Sequence, residues 1–88
     1  MIIVKKDGRK EVFSKKKLFN SIYESFLNAH HNKRNAGNFA KKVSNEALKH
    51  LKNKKIINSS YVFKIIATLL EKYDKDATFL YETHRDIS

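Results

Sequence analysis

The fold of this chain is decided at its start, which reads Ile2-Ile3-Val4-Lys5-Lys6-Asp7-Gly8-Arg9-Lys10-Glu11-Val12-Phe13. Apolar residues stand on both sides of Asp7-Gly8, the dipeptide favoured in two-residue type I′ turns. Such a turn needs a positive φ at both central residues, which Asp and Gly tolerate well. The stretch therefore predicts a β-hairpin with a type I′ turn at its tip.

Cationic side chains surround the predicted turn and continue past it. Lys5, Lys6, Arg9 and Lys10 lie on or beside the turn, and three further lysines, Lys15, Lys16 and Lys17, follow the good helix N-cap Ser14. Backbone amides at a helix start, together with several ammonium groups, form a favourable place for phosphate oxygens. Charge runs more often only solubilise a protein, so this pattern alone indicates a basic surface.

Helical periodicity follows the hairpin. Apolar residues recur at helical spacing from Leu18 to Leu27 and predict a first helix that ends near His30. The polar residues 31–35 predict a turn, with Asn35 as the cap of a second helix over residues 36–52. One side of this second helix is apolar, and the other carries the lysines Lys41, Lys42, Lys49 and Lys52.

The rest of the chain predicts one more strand and two more helices. Ile56-Ile57 suits a short edge strand added to the hairpin, and Asn58 or Ser59 would cap a third helix. Residues 61–73 are apolar around more than half of the helical wheel, which predicts a buried central helix. Asp74 or Asp76 begins the last helix, whose predicted apolar face comprises Ala77, Leu80, Tyr81, His84 and Ile87. Other aromatic residues expected in the core are Tyr23, Phe26, Tyr61, Phe63 and Tyr73.

These elements predict an α+β fold of order ββααβαα, with a small three-stranded sheet, made of the N-terminal β-hairpin plus a short third strand, and four helices. At 88 residues, and with no linker-like or repetitive tract, the chain is expected to form one domain over residues 1–88. Cysteine is absent, which excludes disulfides and thiolate chemistry. No apolar run approaches the length that spans a bilayer, and we expect a cytoplasmic protein without a membrane partner.

The distribution of charge predicts an anionic partner. Nineteen basic residues against nine acidic ones give a net charge of +10. Residues 1–17 carry seven positive and two negative charges, residues 33–55 carry eight and one, and residues 56–88 carry four and five. The sequence therefore has two basic blocks and a near-neutral one.

The hairpin and the residues after it resemble the opening of the ATP-cone family. Val4 to Ser14, followed by Lys17-Leu18 and Ser21-Ile22, is similar to the family pattern V-x-K-R-D-G-R-x-E-x-F and its continuation into the first helix. Residues 57–61 resemble the start of that family's third helix, and Tyr81 with Arg85 resembles its closing Y-x-x-x-R. The resemblance covers essentially the whole chain.

This resemblance implies a regulatory domain that binds ATP or dATP, with or without Mg²⁺, as in ribonucleotide reductase large subunits and the zinc-ribbon repressor of reductase genes. It implies phosphate contacts for Lys5, Lys6 and Lys17, and a nucleotide lining of Ile3, Glu11, Phe13, Ser14 and Asn58. The resemblance to the closing Y-x-x-x-R implies Tyr81 and Arg85 as further nucleotide contacts. Nucleotide binding would then act on a homo-oligomer or on a larger regulated protein. The chain would be either free-standing or part of a longer one.

A second interpretation remains open: a small basic nucleic-acid-binding or transcription-associated protein on the same scaffold. Lys41, Lys42, Lys49 and Lys52 would then form its anionic-partner face, with weak sequence specificity and a strong salt dependence. An enzyme is not expected, because the sequence carries no Walker A motif, nucleophile elbow or recognisable carboxylate pair. A protein metal site is not expected either, since the adjacent His30 and His31 diverge by about 100° on a helix.

Overall fold

Three short strands form one mixed sheet in the computed structural model, which describes residues 1–84. They are β1 (Ile2–Val4), β2 (Lys10–Val12) and β3 (Ile56–Asn58), in the spatial order β2-β1-β3. β1 pairs antiparallel with β2, with Ile3 opposite Glu11, and parallel with β3, with Ile3 opposite Ile57. The helices are α1 (Lys15–Asn28), α2 (Lys33–Leu51), α3 (Ser59–Glu71) and α4 (Lys75–His84). The α+β class and the predicted order ββααβαα are confirmed.

The hairpin turn differs from the predicted type I′ turn. The Gly8 amide donates to the Lys5 carbonyl (3.0 Å), and the Lys5 amide donates to the Arg9 carbonyl (2.7 Å). Only Gly8, at +88°, has a positive φ in this turn. The loop is therefore the three-residue type, in which a common turn is followed by a glycine in the left-handed region. Asp-Gly serves this loop as well as the predicted one, because only the second residue must adopt a positive φ.

Helix boundaries depart from the prediction by a few residues where polar caps compete. α2 begins at Lys33, and its N-cap is Asn32, whose side chain accepts from the Asn35 amide at 2.8 Å. The predicted cap at Asn35 was wrong, because the earlier asparagine captures the first free amide and draws residues 33–35 into the helix. α1 ends at Asn28, two residues before the predicted end, and His30 follows with a φ of 71°.

Two apolar clusters hold the elements together. The larger lies among the four helices and includes the fully buried Ile22, Phe26, Val43, Ile66 and Leu70. The smaller joins Ile3 of β1 and Ile57 of β3 to Leu51 at the end of α2. Tyr61 is 42% exposed, with the Lys54 ammonium 5.5 Å from its ring centre, so its predicted place in the core was wrong. It stands on the first turn of α3, at the rim where the helix leaves the sheet.

One hydrogen-bonded carboxylate links the start of the last helix to the loop between α1 and α2. Asp74 precedes α4 and accepts from the amides of Asp76 (2.8 Å) and Ala77 (3.3 Å), as predicted for the start of this helix. Its other oxygen accepts from Nε2 of His31, in the loop between α1 and α2. On α4, Ala77 is buried and Leu80 and Tyr81 are half-buried. The side chain of His84 and residue Ile87, both in the predicted apolar face, lie outside the described part of the chain.

Candidate functional site at the basic hairpin

One face of the sheet gathers four of the predicted nucleotide residues. Strand partners point to the same side of a sheet, and so do residues two apart on one strand. Ile3, Glu11 and Ile57 are partners, and Lys5 and Phe13 lie two residues from Ile3 and Glu11, so all five share one face. This is called the inner face here, because it turns towards the helices through the buried Ile3 and Ile57. The register therefore brings onto one face four predicted contacts, Ile3 and Lys5 from one arm of the hairpin and Glu11 and Phe13 from the other.

An ion pair holds Lys5 over the inner face. Its Nζ lies 3.5 Å from Oε1 of Glu11, and the two side chains are 32% and 44% exposed. In this geometry Glu11 keeps the ammonium group of Lys5 near the strand rather than extended into solvent. A partly exposed pair of this kind contributes little to stability, so it yields readily to a more strongly charged anion.

The tip of the hairpin contains a second, fully exposed pair. The Asp7 carboxylate accepts from the Arg9 backbone amide at 3.0 Å and from its Nε at 2.6 Å. These bonds, led by that of the backbone amide, hold the pKa of Asp7 below its ordinary value. Arg9 is thereby engaged with the turn itself, whereas Lys6 beside it is exposed.

The start of α1 lies directly after β2 and concentrates positive charge. Ser14 caps the helix in an extended conformation, and its Oγ accepts from the Lys17 amide at 3.2 Å. Lys15, Lys16 and Lys17 fill the first turn, all three are exposed, and no acidic residue stands among them. The positive end of the helix dipole disfavours cations at this position and favours anions. We call Lys5 and Lys6, with Glu11, the hairpin cluster; Lys17 belongs to the start of α1.

The remaining predicted residues are placed differently. The side chain of Ile3 is 7% exposed and packed in the smaller core cluster. It therefore supports the inner face from below and offers little surface to a ligand. Asn58 is the partner of Val4, so the register places it on the opposite face of the sheet from Lys5. It is also the N-cap of α3, but its side chain makes no capping hydrogen bond. Arg85 lies outside the described residues.

Tyr81 belongs to a stacked aromatic pair that the sequence did not predict. Its ring lies 5.4 Å from that of Phe63 on α3, at an interplanar angle of 12°. Phe63 also lines an open groove of about 370 Å³ between α3 and α4, and Glu71 and Glu82 belong to the same lining. Phe63 stands one helical turn after the first residue of α3, but only the packing of α4 identifies its partner.

His31, in the α1–α2 loop, is held by two aromatic rings and a carboxylate. His31 lies edge-on to the rings of Phe26 and Phe39, each at 5.4 Å, and donates to Asp74. Although burial alone would raise the pKa of Asp74, the bonds from His31 and from the Ala77 and Asp76 amides bring that pKa below its ordinary value. Within residues 1–84 no group of three His, Asp or Glu side chains is placed to hold a metal ion.

A cationic β-hairpin beside a lysine-rich helix start, on a small α+β scaffold, is typical of a domain that binds anionic ligands. The comparison with protein families identifies which one: the ATP cone domain matches residues 1–86, nearly the whole chain. The chain therefore belongs to the ATP-cone family, whose members are nucleotide-binding regulatory domains rather than catalytic ones. Comparison with curated proteins gives no significant match. None of the helices within residues 1–84 is long and apolar enough to cross a membrane.

Proposed function

We propose that this chain binds ATP or dATP between the hairpin cluster and the start of α1, does not hydrolyse it, and changes its association state on binding. The observation that carries the proposal is the first turn of α1. Three exposed lysines stand there without an acidic neighbour in that turn, at the helix end that disfavours them. A triphosphate in front of this turn would be attracted by both the amides and the ammonium groups.

The hairpin cluster supplies the other half of the site. Lys5 leaves Glu11 and moves to the phosphates, while Lys6 approaches from the exposed tip of the hairpin. Glu11 is then free to accept a hydrogen bond from a sugar hydroxyl or an amino group. The ring of Phe13, half-buried on the same face, offers an apolar surface to the base.

The groove between α3 and α4 is a weaker candidate for the phosphates. Among the described residues of its lining, the carboxylates Glu71 and Glu82 stand with a single cation, Lys64. Two carboxylates repel a triphosphate, whereas the start of α1 attracts one. Phe63, which lines this groove and stacks on Tyr81, is better suited to a base than to phosphate.

Binding without hydrolysis follows from what the site offers. Phosphoryl transfer needs a metal held by the protein and a group that positions the attacking water. The hairpin cluster provides cations and a single carboxylate, Glu11, already paired with Lys5. Any Mg²⁺ would therefore be carried by the nucleotide and not held by a carboxylate cluster of the chain.

Nucleotide charge provides the link to assembly. The chain carries a net charge of +10, which opposes contact between copies. A bound triphosphate offsets part of this positive charge and holds the β-hairpin in one position. Because a ligand shifts an equilibrium only as far as it binds two states unequally, the associated state must be the one with the higher nucleotide affinity.

Calorimetric titration with ATP, dATP and ADP tests the proposal. We expect ATP and dATP to bind more tightly than ADP, because ADP lacks one of the phosphates that the lysines contact. Sedimentation with and without ATP tests the link to assembly, and we expect a faster species with ATP. The proposal is wrong if none of the three nucleotides binds, and its assembly part is wrong if binding leaves sedimentation unchanged.

A further inference from the structure

A second basic surface lies on α2, far along the chain from the hairpin. Taking about 100° per residue, Arg34, Lys41, Lys42 and Lys49 fall within an arc of about 100° on one side of this helix. Asn38 and Asn45 lie between them in the same arc. All six side chains are exposed. We call Arg34, Lys41, Lys42 and Lys49 the α2 face.

The direction of the α2 face is fixed by the opposite side of the helix. Ala36, Ala40, Val43 and Ala47 are fully buried in the larger core cluster against the other helices. α2 cannot rotate about its axis without exposing them, so its basic side is held outward along the whole length of the helix.

The charge of this surface is not compensated. Residues 33–55 contain eight Lys and Arg residues and one acidic residue, Glu46, which accepts a hydrogen bond from the Tyr73 hydroxyl at 3.1 Å. In the described part of the chain, ion pairs join Lys5 to Glu11, Arg9 to Asp7 and His31 to Asp74, and none involves a side chain of α2. Residues 33–55 thus account for seven of the ten net positive charges, outside the hairpin cluster.

We infer that the α2 face binds the phosphate backbone of duplex nucleic acid, without reading the bases. Arg34 and Lys49 are fifteen residues apart, which corresponds to a row of about 22 Å. A row of this length lies beside several successive phosphates of a duplex. The amide side chains of Asn38 and Asn45 add donors of the kind that contact phosphate and sugar.

The composition of this surface favours nucleic acid over a protein or a lipid partner. Helices that lie in a membrane interface present Trp, Phe or Leu beside their basic residues, and protein interfaces depend on buried aromatic anchors. Positions 34, 38, 41, 42, 45 and 49 carry neither aromatic nor aliphatic side chains. A row of cations and amides alone is suited to a hydrated, regularly charged surface.

The test is the binding of a short random-sequence DNA duplex, followed by fluorescence anisotropy over a range of salt concentrations. We expect log Kd to rise linearly with log salt, with a slope of about 0.9 for each phosphate contacted. The variant Lys41→Gln/Lys42→Gln/Lys49→Gln should bind more weakly and reduce that slope by about 2.7, the loss of three contacts. The matched control Lys64→Gln/Lys72→Gln/Lys75→Gln removes the same charge from exposed positions elsewhere.

Each outcome decides the inference. A loss confined to the α2 variant supports it, and equal losses in both variants overturn it, because net charge alone would then explain binding. Absence of duplex binding at low salt also overturns it, as does binding of polyglutamate as tight as that of the duplex. A duplex RNA arm identifies which nucleic acid is preferred and supports the inference if either duplex binds through the α2 face.

Two further measurements keep the test independent of folding and of the nucleotide site. Circular dichroism confirms that the variants fold, and Lys42→Gln/Lys49→Gln replaces the triple variant if that one does not. Calorimetry with ATP on the α2 variant should match the unsubstituted protein, so failure of the nucleotide proposal and failure of this inference give different results.

Discussion

The hairpin cluster and the α2 face are both made of lysines, yet they differ in geometry. Lys5 is held by Glu11 over the inner face of the sheet, beside a helix start that attracts anions. The lysines of α2 stand in an outward row with no carboxylate among them. A cation held by a carboxylate beside a helix start suits one small polyphosphate, whereas an outward row of cations suits an extended polyanion. Similar composition thus predicts different partners once the backbone has set the directions of the side chains.

Removing the cations of one surface should leave the function of the other intact. We expect Lys5→Gln/Lys17→Gln to weaken ATP binding at least about 100-fold, since each of two charged hydrogen bonds contributes about 1.5–3 kcal/mol and about 1.4 kcal/mol is tenfold. Calorimetry measures the loss, and Lys41→Gln/Lys42→Gln is the matched control with unchanged affinity. A larger loss in the control than in the hairpin variant would reverse the assignment.

Two aspartates, one mostly buried at the start of α4 and one exposed at the hairpin tip, should differ in what they contribute to stability. Asp74 is mostly buried and ties the start of α4 to the loop that precedes α2, whereas Asp7 is exposed at the hairpin tip. We expect Asp74→Asn, which keeps a capping oxygen, to lower the free energy of unfolding by about 1–2 kcal/mol through the lost charged hydrogen bond. Chemical denaturation measures it, with Asp7→Asn at the exposed hairpin tip as the control that changes the midpoint less.

The loss of stability caused by Asp74→Asn should depend on pH in a defined direction. The pKa of Asp74 is below its ordinary value of 3.8 in the folded protein, so its contribution is complete above that value and is lost as the pH falls through the lower folded pKa. The difference between Asp74→Asn and the unsubstituted protein should therefore shrink under acid conditions below pH 3.8. A difference that grows on acidification would contradict the role given to Asp74.

The two glycines of the chain should respond to alanine in opposite directions. Gly8, in the hairpin, has a φ of +88°, and Ala there is strained although no atom lies within 4 Å of the added methyl group. Gly37 lies inside α2, where the methyl group would meet Tyr23 Cε1 at an ordinary contact distance of 3.9 Å. Thermal unfolding should therefore show Gly8→Ala less stable by about 1 kcal/mol and Gly37→Ala more stable by about 0.5–1 kcal/mol. Changes of the same sign would refute the assigned backbone geometry.

Local signals predicted the elements of this fold, and long-range contacts limited the prediction. The hairpin, the cap at Ser14 and the strand at Ile56-Ile57 each depend on a few neighbouring residues, and all three are present. The turn type was missed because Asp-Gly fits two loops, and the α2 cap because Asn32 and Asn35 compete for one role. The contacts from His31 to Asp74 and from Phe63 to Tyr81 join residues far apart in sequence, and no local pattern identifies them.

The candidate site was predictable to a similar extent. The alternation of β2 places Glu11 and Phe13 on one face, and the strand register adds Lys5. The register also separates Asn58 from these residues, because its partner Val4 points to the other face. A sequence pattern fixes spacing along the chain, but only the pairing of β1 with β3 determines which face of the sheet a residue of β3 occupies.

We propose that nucleotide binds at the hairpin and the start of α1, and not on the α2 face. Backbone amide NMR during an ATP titration tests this residue by residue. We expect chemical-shift changes concentrated over residues 3–17, with the amide signals of Lys41, Lys42 and Lys49 unchanged. Shifts concentrated on α2, with the hairpin unchanged at saturation, would contradict it.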